Sequence, residues 1–108
     1  MIRSFRVRGK VQGVMFRQTF IKACLKREIN AGATNCWNSD DVLITLDGPE
    51  KIIFELLEYL NSKSAIYSWD ATPVETIELE QIIPINELDV TCTNVNDFSW
   101  TPGVKMYL

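Results

Sequence analysis

Short apolar segments with the composition of β-strands recur along the chain. In the first of them, Phe5 and Val7 alternate with arginines, so that both apolar side chains lie on one face. The later segments are rich in β-branched residues and are bounded by polar residues typical of turns. We expect one such polar run, residues 38–41, to be a solvated hairpin turn. The predicted strands span residues 2–8, 29–37, 42–46 and 74–83.

Two other segments have the apolar spacing of amphipathic helices. Residues 16–27 place apolar side chains at i, i+4, i+7 and i+8, and residues 49–60 begin with a proline and an acid, as many helices do. The element order is therefore β-α-β-β-α-β, and residues 98–100 or 104–108 could supply one further strand. Two helices on one face of a mostly antiparallel sheet form a ferredoxin-like α+β sandwich. Because that fold hosts many unrelated activities, the function has to be inferred from the site.

The length of 108 residues predicts one domain, in which residues 84–108 form a divergent C-terminal segment. No apolar run approaches the ~20 residues of a membrane-spanning helix, and the N-terminal segment lacks the apolar core of a secretory signal. We therefore expect a cytoplasmic protein that does not bind membranes. Because neither predicted helix shows a conspicuous second apolar face, we also expect a monomer. The chain has no histidine and its three cysteines form no CxxC pair, so we expect no structural zinc site.

Basic residues are concentrated at the start of the chain. Residues 1–27 hold eight lysines and arginines and no acid, whereas the remainder holds three lysines and all fourteen acids, which gives a net charge of −3. This separation of charge suits a small anion held near the N-terminal segment. A general nucleic-acid-binding protein would more often be basic overall, so we expect no nucleic-acid partner.

The loop between the first strand and the first helix could hold such an anion. Gly9 and Gly13 bracket this loop, and backbone N–H groups at a helix N-terminus bind phosphate. Arg17 follows in the first helical turn, where a cation opposes the helix dipole at a cost of about 0.3–1 kcal/mol. A bound anion would offset that cost, and a guanidinium can hold two phosphate oxygens in parallel. Turn glycines and an exposed arginine would produce the same pattern without any ligand.

Asn35 lies in a predicted strand, although asparagine is a poor strand former. Its carboxamide could accept a hydrogen bond from a water molecule and donate one to a phosphoryl oxygen at the same time. The alternative interpretation is an asparagine that binds its own backbone at a strand edge.

Two motifs that contain these residues resemble those of one known family. Residues 9–17, with the sequence GKVQGVMFR, closely resemble the first signature of acylphosphatases. Residues 32–35, GATN, followed by Val42 and Gly48, resemble the second. The resemblance covers residues 3–83. It implies the ferredoxin-like fold and the hydrolysis of a small-molecule acyl phosphate to carboxylate and inorganic phosphate, without metal, cofactor or phosphoenzyme.

The resemblance also implies a role for individual residues. The Arg17 side chain would bind the phosphate, and Asn35 would orient the attacking water, so both are implied to be catalytic. Backbone N–H groups of the loop would surround the phosphate. This implied phosphate-binding loop comprises Gly13, Val14, Met15, Phe16 and Arg17.

Two other functions remain open on the sequence. A non-catalytic, ferredoxin-like module that senses an anion would fit the hairpin of residues 36–41, which is one residue longer than is usual in the family and contains no glycine. It would also fit Ala33, where the family usually has an aromatic residue. An RNA-recognition module shares the element order, but residues 42–46 lack the exposed aromatic side chains that such modules use.

Overall fold

The computed structural model describes residues 1–12, 16–61 and 72–97, and within these ranges it confirms the predicted element order. The main elements form a five-stranded sheet and two α-helices. They are β1 (Ile2–Lys10), α1 (Phe16–Lys26), β2 (Asn30–Asn35), β3 (Val42–Asp47), α2 (Glu50–Asn61), β4 (Thr72–Glu78) and β5 (Val90–Thr91).

The sheet has the strand order β4-β1-β3-β2-β5, and every neighbouring pair is antiparallel. Helix α1 packs against β2 and β5, and α2 packs against β4. The ferredoxin-like α+β fold expected from the sequence is therefore confirmed. In the parts of the chain that the structure describes, no helix combines the length and the apolar character needed to cross a bilayer.

One apolar core lies between the sheet and the helices. Phe5 and Val7 both face it, as predicted, and they pair in register with Ile44 and Val42 of β3. Side chains alternate between the two faces of a strand, so Ala31, Ala33 and then Asn35 of β2 follow one another on the core side. The helices bury Phe16, Phe20, Ile21, Ala23, Cys24, Ile53, Leu56 and Leu60 in this core.

The segment that follows β4 differs from the prediction. We expected a strand as far as residue 83, but β4 ends at Glu78, and residues 79–89, the crossing segment, pass over the face of the sheet opposite the helices. Ser4 and Thr45 are fully buried on that face, with their hydroxyl oxygens 2.6 Å apart. Ser4 Oγ accepts a hydrogen bond from the Ile83 N–H at 2.9 Å, and Thr45 Oγ1 donates one to the Ile83 carbonyl at 2.8 Å. Because side-chain hydroxyls satisfy the Ile83 backbone, this part of the chain does not need a partner strand.

A short strand that the sequence did not predict follows the crossing segment. The strand β5 consists of Val90–Thr91 and pairs with Ala33 and Gly32 at the edge of β2. The two segments proposed for a further strand, residues 98–100 and 104–108, lie outside the described residues. The crossing segment guides the chain to this edge, because Leu88 is buried directly over Gly32.

Replacing Gly32 by alanine is expected to lower the free energy of unfolding by about 1–3 kcal/mol. An added Cβ would lie 2.8 Å from Leu88 Cδ1, 3.0 Å from Leu88 Cβ and 3.3 Å from the Ile85 carbonyl oxygen, so the crossing segment would have to shift. Urea unfolding measures the loss. The double variant Gly32→Ala/Leu88→Ala should be less destabilised than the sum of the two single variants, and strict additivity would contradict the contact.

Candidate active site

Arg17 lies in the first turn of α1, as predicted, directly after the loop of the first motif. Its side chain is 23% exposed, and Nη1 lies 3.7 Å from Oδ2 of Asp89. The first turn of α1 contains no acidic residue, so nothing on the helix itself compensates the positive end of its dipole. The guanidinium and the helix N-terminus together form a positively charged position that suits an anion.

Asn35 is the last residue of β2 and lies on the core side of the sheet. Its side-chain oxygen Oδ1 is buried and accepts no hydrogen bond from the described residues. Leaving such an oxygen without a donor typically costs about 1–3 kcal/mol. A buried acceptor of this kind at a strand end is a position where a water molecule or a ligand is expected to bind.

The two predicted residues are joined through a third, Asp89, which sequence reasoning missed. Its carboxylate contacts Arg17, and its backbone N–H donates a hydrogen bond of 2.7 Å to Oγ1 of Thr34, the neighbour of Asn35. The structure therefore places Arg17 and Asn35 on packed elements that meet at the start of β5. No sequence signal marks Asp89, because its contacts depend on where the crossing segment ends relative to α1 and β2.

The connection between β1 and α1, which contains the predicted phosphate-binding loop, is described at its two ends. Gly9 has φ 127°, a conformation that favours glycine, and it coincides with a register shift in the pairing of β1 with β4. Phe16 is buried and stacks on Phe20 with a ring-centroid distance of 5.6 Å, so the helical end of the loop is anchored in the core. Gly13, Val14 and Met15 lie outside the described residues, and their role in binding stays a prediction.

Gln12 fixes the hairpin of residues 36–41 to the loop. Its Nε2 donates hydrogen bonds to the backbone carbonyls of Asp41 at 2.8 Å and Ser39 at 3.0 Å, with a longer contact of 3.4 Å to Cys36. A cavity of about 460 Å³ opens between loop and hairpin, lined by Gly9, Val11, Gln12 and Asp40. Gln12 belongs to the first motif, but its sequence position alone gave no indication of this contact.

The expectation that residues 38–41 form a solvated turn is wrong for Asp41. It is 8% exposed, and Oδ2 lies 3.4 Å from Arg8 Nε and 3.6 Å from Arg6 Nη1. Arg3 and Arg8 also contact carboxylates of β4, so the basic residues of β1 are largely neutralised within the fold. The positive charge of β1 is therefore less available to a ligand than the sequence suggested.

Two of the three described thiols, those of Cys24 and Cys92, are poor candidates for a nucleophile. Burial raises the pKa of the Cys24 thiol strongly, and the nearby Cys92 adds to the effect. Burial also raises the pKa of Cys92, although a hydrogen bond with the Ala31 backbone opposes it. Both thiols stay protonated near neutral pH, and a thiol is a poor nucleophile and metal ligand in that form.

The arrangement pairs a guanidinium at a helix N-terminus with a buried carboxamide oxygen at a strand end. Such groups can neutralise and orient a phosphoryl group and hold a water molecule, but neither of them is a general acid near neutral pH. The site therefore suits a reaction whose leaving group departs without protonation.

Comparison with known proteins identifies the family. A family model described as acylphosphatase matches residues 3–88. Among solved structures, the crystal structure of acylphosphatase from Bacillus subtilis is similar, with a TM-score of 0.58 and 24% sequence identity over 76% of this chain and 89% of that chain. No curated protein sequence shows significant similarity. The family match spans most of the chain and includes both motifs, and this chain therefore belongs to the acylphosphatase family.

Proposed function

We propose that this chain hydrolyses the carboxyl–phosphate bond of acyl phosphates by in-line attack of a water held by Asn35. The phosphoryl group is bound by the Arg17 side chain and by backbone N–H groups of residues 13–17. The family and the fold support hydrolysis of acyl phosphates in general. One observation supports the roles proposed for Asn35 and Arg17. Oδ1 of Asn35 is a buried acceptor that has no donor in the described parts of the chain. It lies at the end of β2, near the contact of Arg17 with Asp89.

The chemistry needs little beyond positioning and charge. As the bond from the water oxygen to phosphorus forms, the bond from phosphorus to the carboxyl oxygen breaks, and the carboxylate leaves with the bonding electrons. The proton of the attacking water passes to a phosphoryl oxygen or to solvent. A carboxylate needs no protonation to leave, so a chain without histidine can carry out this step.

Arg17 and Asn35 act on different parts of this reaction. The transition state of phosphoryl transfer is loose and spreads negative charge over the equatorial oxygens, which a guanidinium can bind in parallel. The Asn35 oxygen accepts a hydrogen bond from the water and thereby directs its lone pair at phosphorus. Fixing the water opposite the leaving group converts a bimolecular encounter into a step within the complex.

The proposal includes a cytoplasmic monomer that uses a small-molecule substrate and needs neither metal nor cofactor. The test is hydrolysis of benzoyl phosphate by the purified protein in the presence of a metal chelator. We expect turnover that the chelator leaves unchanged. Phosphate binding without turnover would instead support the anion-sensing module, and turnover that the chelator abolishes would contradict the proposed metal-free mechanism.

A further inference from the structure

Asp89, the residue that directly precedes β5, contacts the proposed phosphate-binding arginine. Oδ2 of Asp89 lies 3.7 Å from Nη1 of Arg17, with Asp89 67% exposed and Arg17 23% exposed. The carboxylate thus lies at the surface beside a guanidinium that is mostly covered. The contact links α1 to the residue before β5, and the family match ends one residue before Asp89, at residue 88.

The position of Asp89 is fixed by the same strand end that carries Asn35. Its N–H donates to Thr34 Oγ1 at 2.7 Å, and its carbonyl accepts a hydrogen bond from Asn94 Nδ2 at 3.0 Å. The next residue, Val90, is buried and pairs with Ala33 of β2. Hydrogen bonds therefore hold both the N–H and the carbonyl of Asp89, and they fix its Cα at the edge of β2.

Arg17 needs such a partner more than most arginines do. The dipole of α1 disfavours a cation in the first turn, and no acid lies in that turn to compensate it. A long, flexible arginine side chain also loses conformational freedom when it is ordered for binding. A carboxylate that contacts Nη1 opposes the repulsion and orders the side chain. A planar guanidinium has five N–H donors, so one side chain can bind a carboxylate and a phosphoryl group at the same time.

We propose that Asp89 is a positioning residue for Arg17, so that β5 and the crossing segment belong to the site as well as to the fold. The inference rests on the proposed function, in which Arg17 binds the phosphoryl group. It assigns to the residues just beyond the family match a role in holding the phosphate-binding side chain in place.

The test is Asp89→Asn, which keeps the shape of the side chain and removes its charge. We expect KM for benzoyl phosphate and the inhibition constant of inorganic phosphate to rise together by about threefold to fivefold, the size that suits a partly exposed ion pair. Asp89→Glu should recover part of the loss. Asp47→Asn, at the far end of the β2–β3 pair from Asn35, removes the same charge and should change neither constant.

The pattern of constants separates positioning from other roles. A purely structural role would lower the active fraction, and with it the apparent kcat, while KM and the inhibition constant stayed constant; this would overturn the inference. A carboxylate that merely competes with the substrate for Arg17 would give tighter phosphate binding in Asp89→Asn, which would also overturn it.

Calorimetric titration of the same proteins with inorganic phosphate distinguishes a failure of the proposed function from a failure of the proposed role of Asp89. If the wild-type protein does not hydrolyse benzoyl phosphate but binds phosphate, the proposed function fails. Weaker phosphate binding by Asp89→Asn would then still support the role of Asp89, and equal or tighter binding would overturn it. A wild-type protein that does not bind phosphate would overturn both proposals.

Discussion

Arg17→Gln is expected to abolish phosphate binding and hydrolysis of acyl phosphates together. The guanidinium is the side chain placed at the N-terminus of α1 beside the proposed loop, and glutamine offers neither its charge nor its two parallel donors. Removing one preorganised group that stabilises developing charge typically lowers kcat by about 10²–10³-fold. Because Arg17 is proposed to bind both the ground state and the transition state, kcat/KM should fall by at least this factor. Steady-state kinetics with benzoyl phosphate and calorimetric titration with inorganic phosphate measure the two effects.

Lys26→Gln provides the matched control for this experiment. Lys26 lies in the last turn of the same helix, so the substitution removes one positive charge from α1 at the opposite end. Phosphate affinity and turnover should both stay close to the wild-type values. Near-full activity in Arg17→Gln, with an unchanged circular dichroism spectrum, would contradict the assignment of Arg17 to phosphate binding.

Asn35→Ala is expected to lose turnover by about 10²-fold or more while inorganic phosphate still binds. Asn35 is proposed to hold the water and not the phosphate, so the substitution should lower kcat and leave the phosphate dissociation constant nearly unchanged. It should also leave the free energy of unfolding equal or raise it slightly. The reason is that the buried Oδ1, which lacks a donor in the described parts of the chain, is removed with the side chain.

The control for this prediction is Asn30→Ala at the other end of β2. Asn30 Oδ1 accepts a hydrogen bond from the Ala31 N–H, so this amide has a local structural role and no place in the proposed chemistry. Its turnover should match that of the wild-type protein. Weaker phosphate binding by Asn35→Ala with unchanged turnover would contradict the assignment of Asn35 to the water.

The sequence predicted the elements whose physical cause is local. The helices α1 and α2 have a clear apolar spacing, and the first strand alternates, so their positions follow from periodicity alone. Arg17 and Asn35 were proposed as site residues for a related reason. Each is a residue that its own element disfavours, a cation in the first helical turn and an asparagine in a strand, and such misfits often mark functional sites.

The features that the sequence did not predict depend on contacts between distant residues. The last part of the predicted fourth strand leaves the sheet because Ser4 and Thr45 bind the Ile83 backbone. Asp41 is buried because Arg6 and Arg8 of β1 reach its carboxylate. A two-residue strand such as β5 has too short a pattern to be recognised, and the side chains that surround it decide where it forms.

The strand order has a consequence for the time at which the protein becomes functional. Among the strand pairings of the described residues, β2 with β3 is the one that joins strands adjacent in sequence, and the others wait for residues much later in the chain. Folds dominated by such distant pairings assemble slowly. During synthesis, Arg17 and Asn35 leave the ribosome long before Asp89. A nascent chain that already carries both proposed catalytic residues therefore still lacks Asp89. With the role proposed for Asp89, we expect full affinity for phosphate only when β5 has been made and has docked.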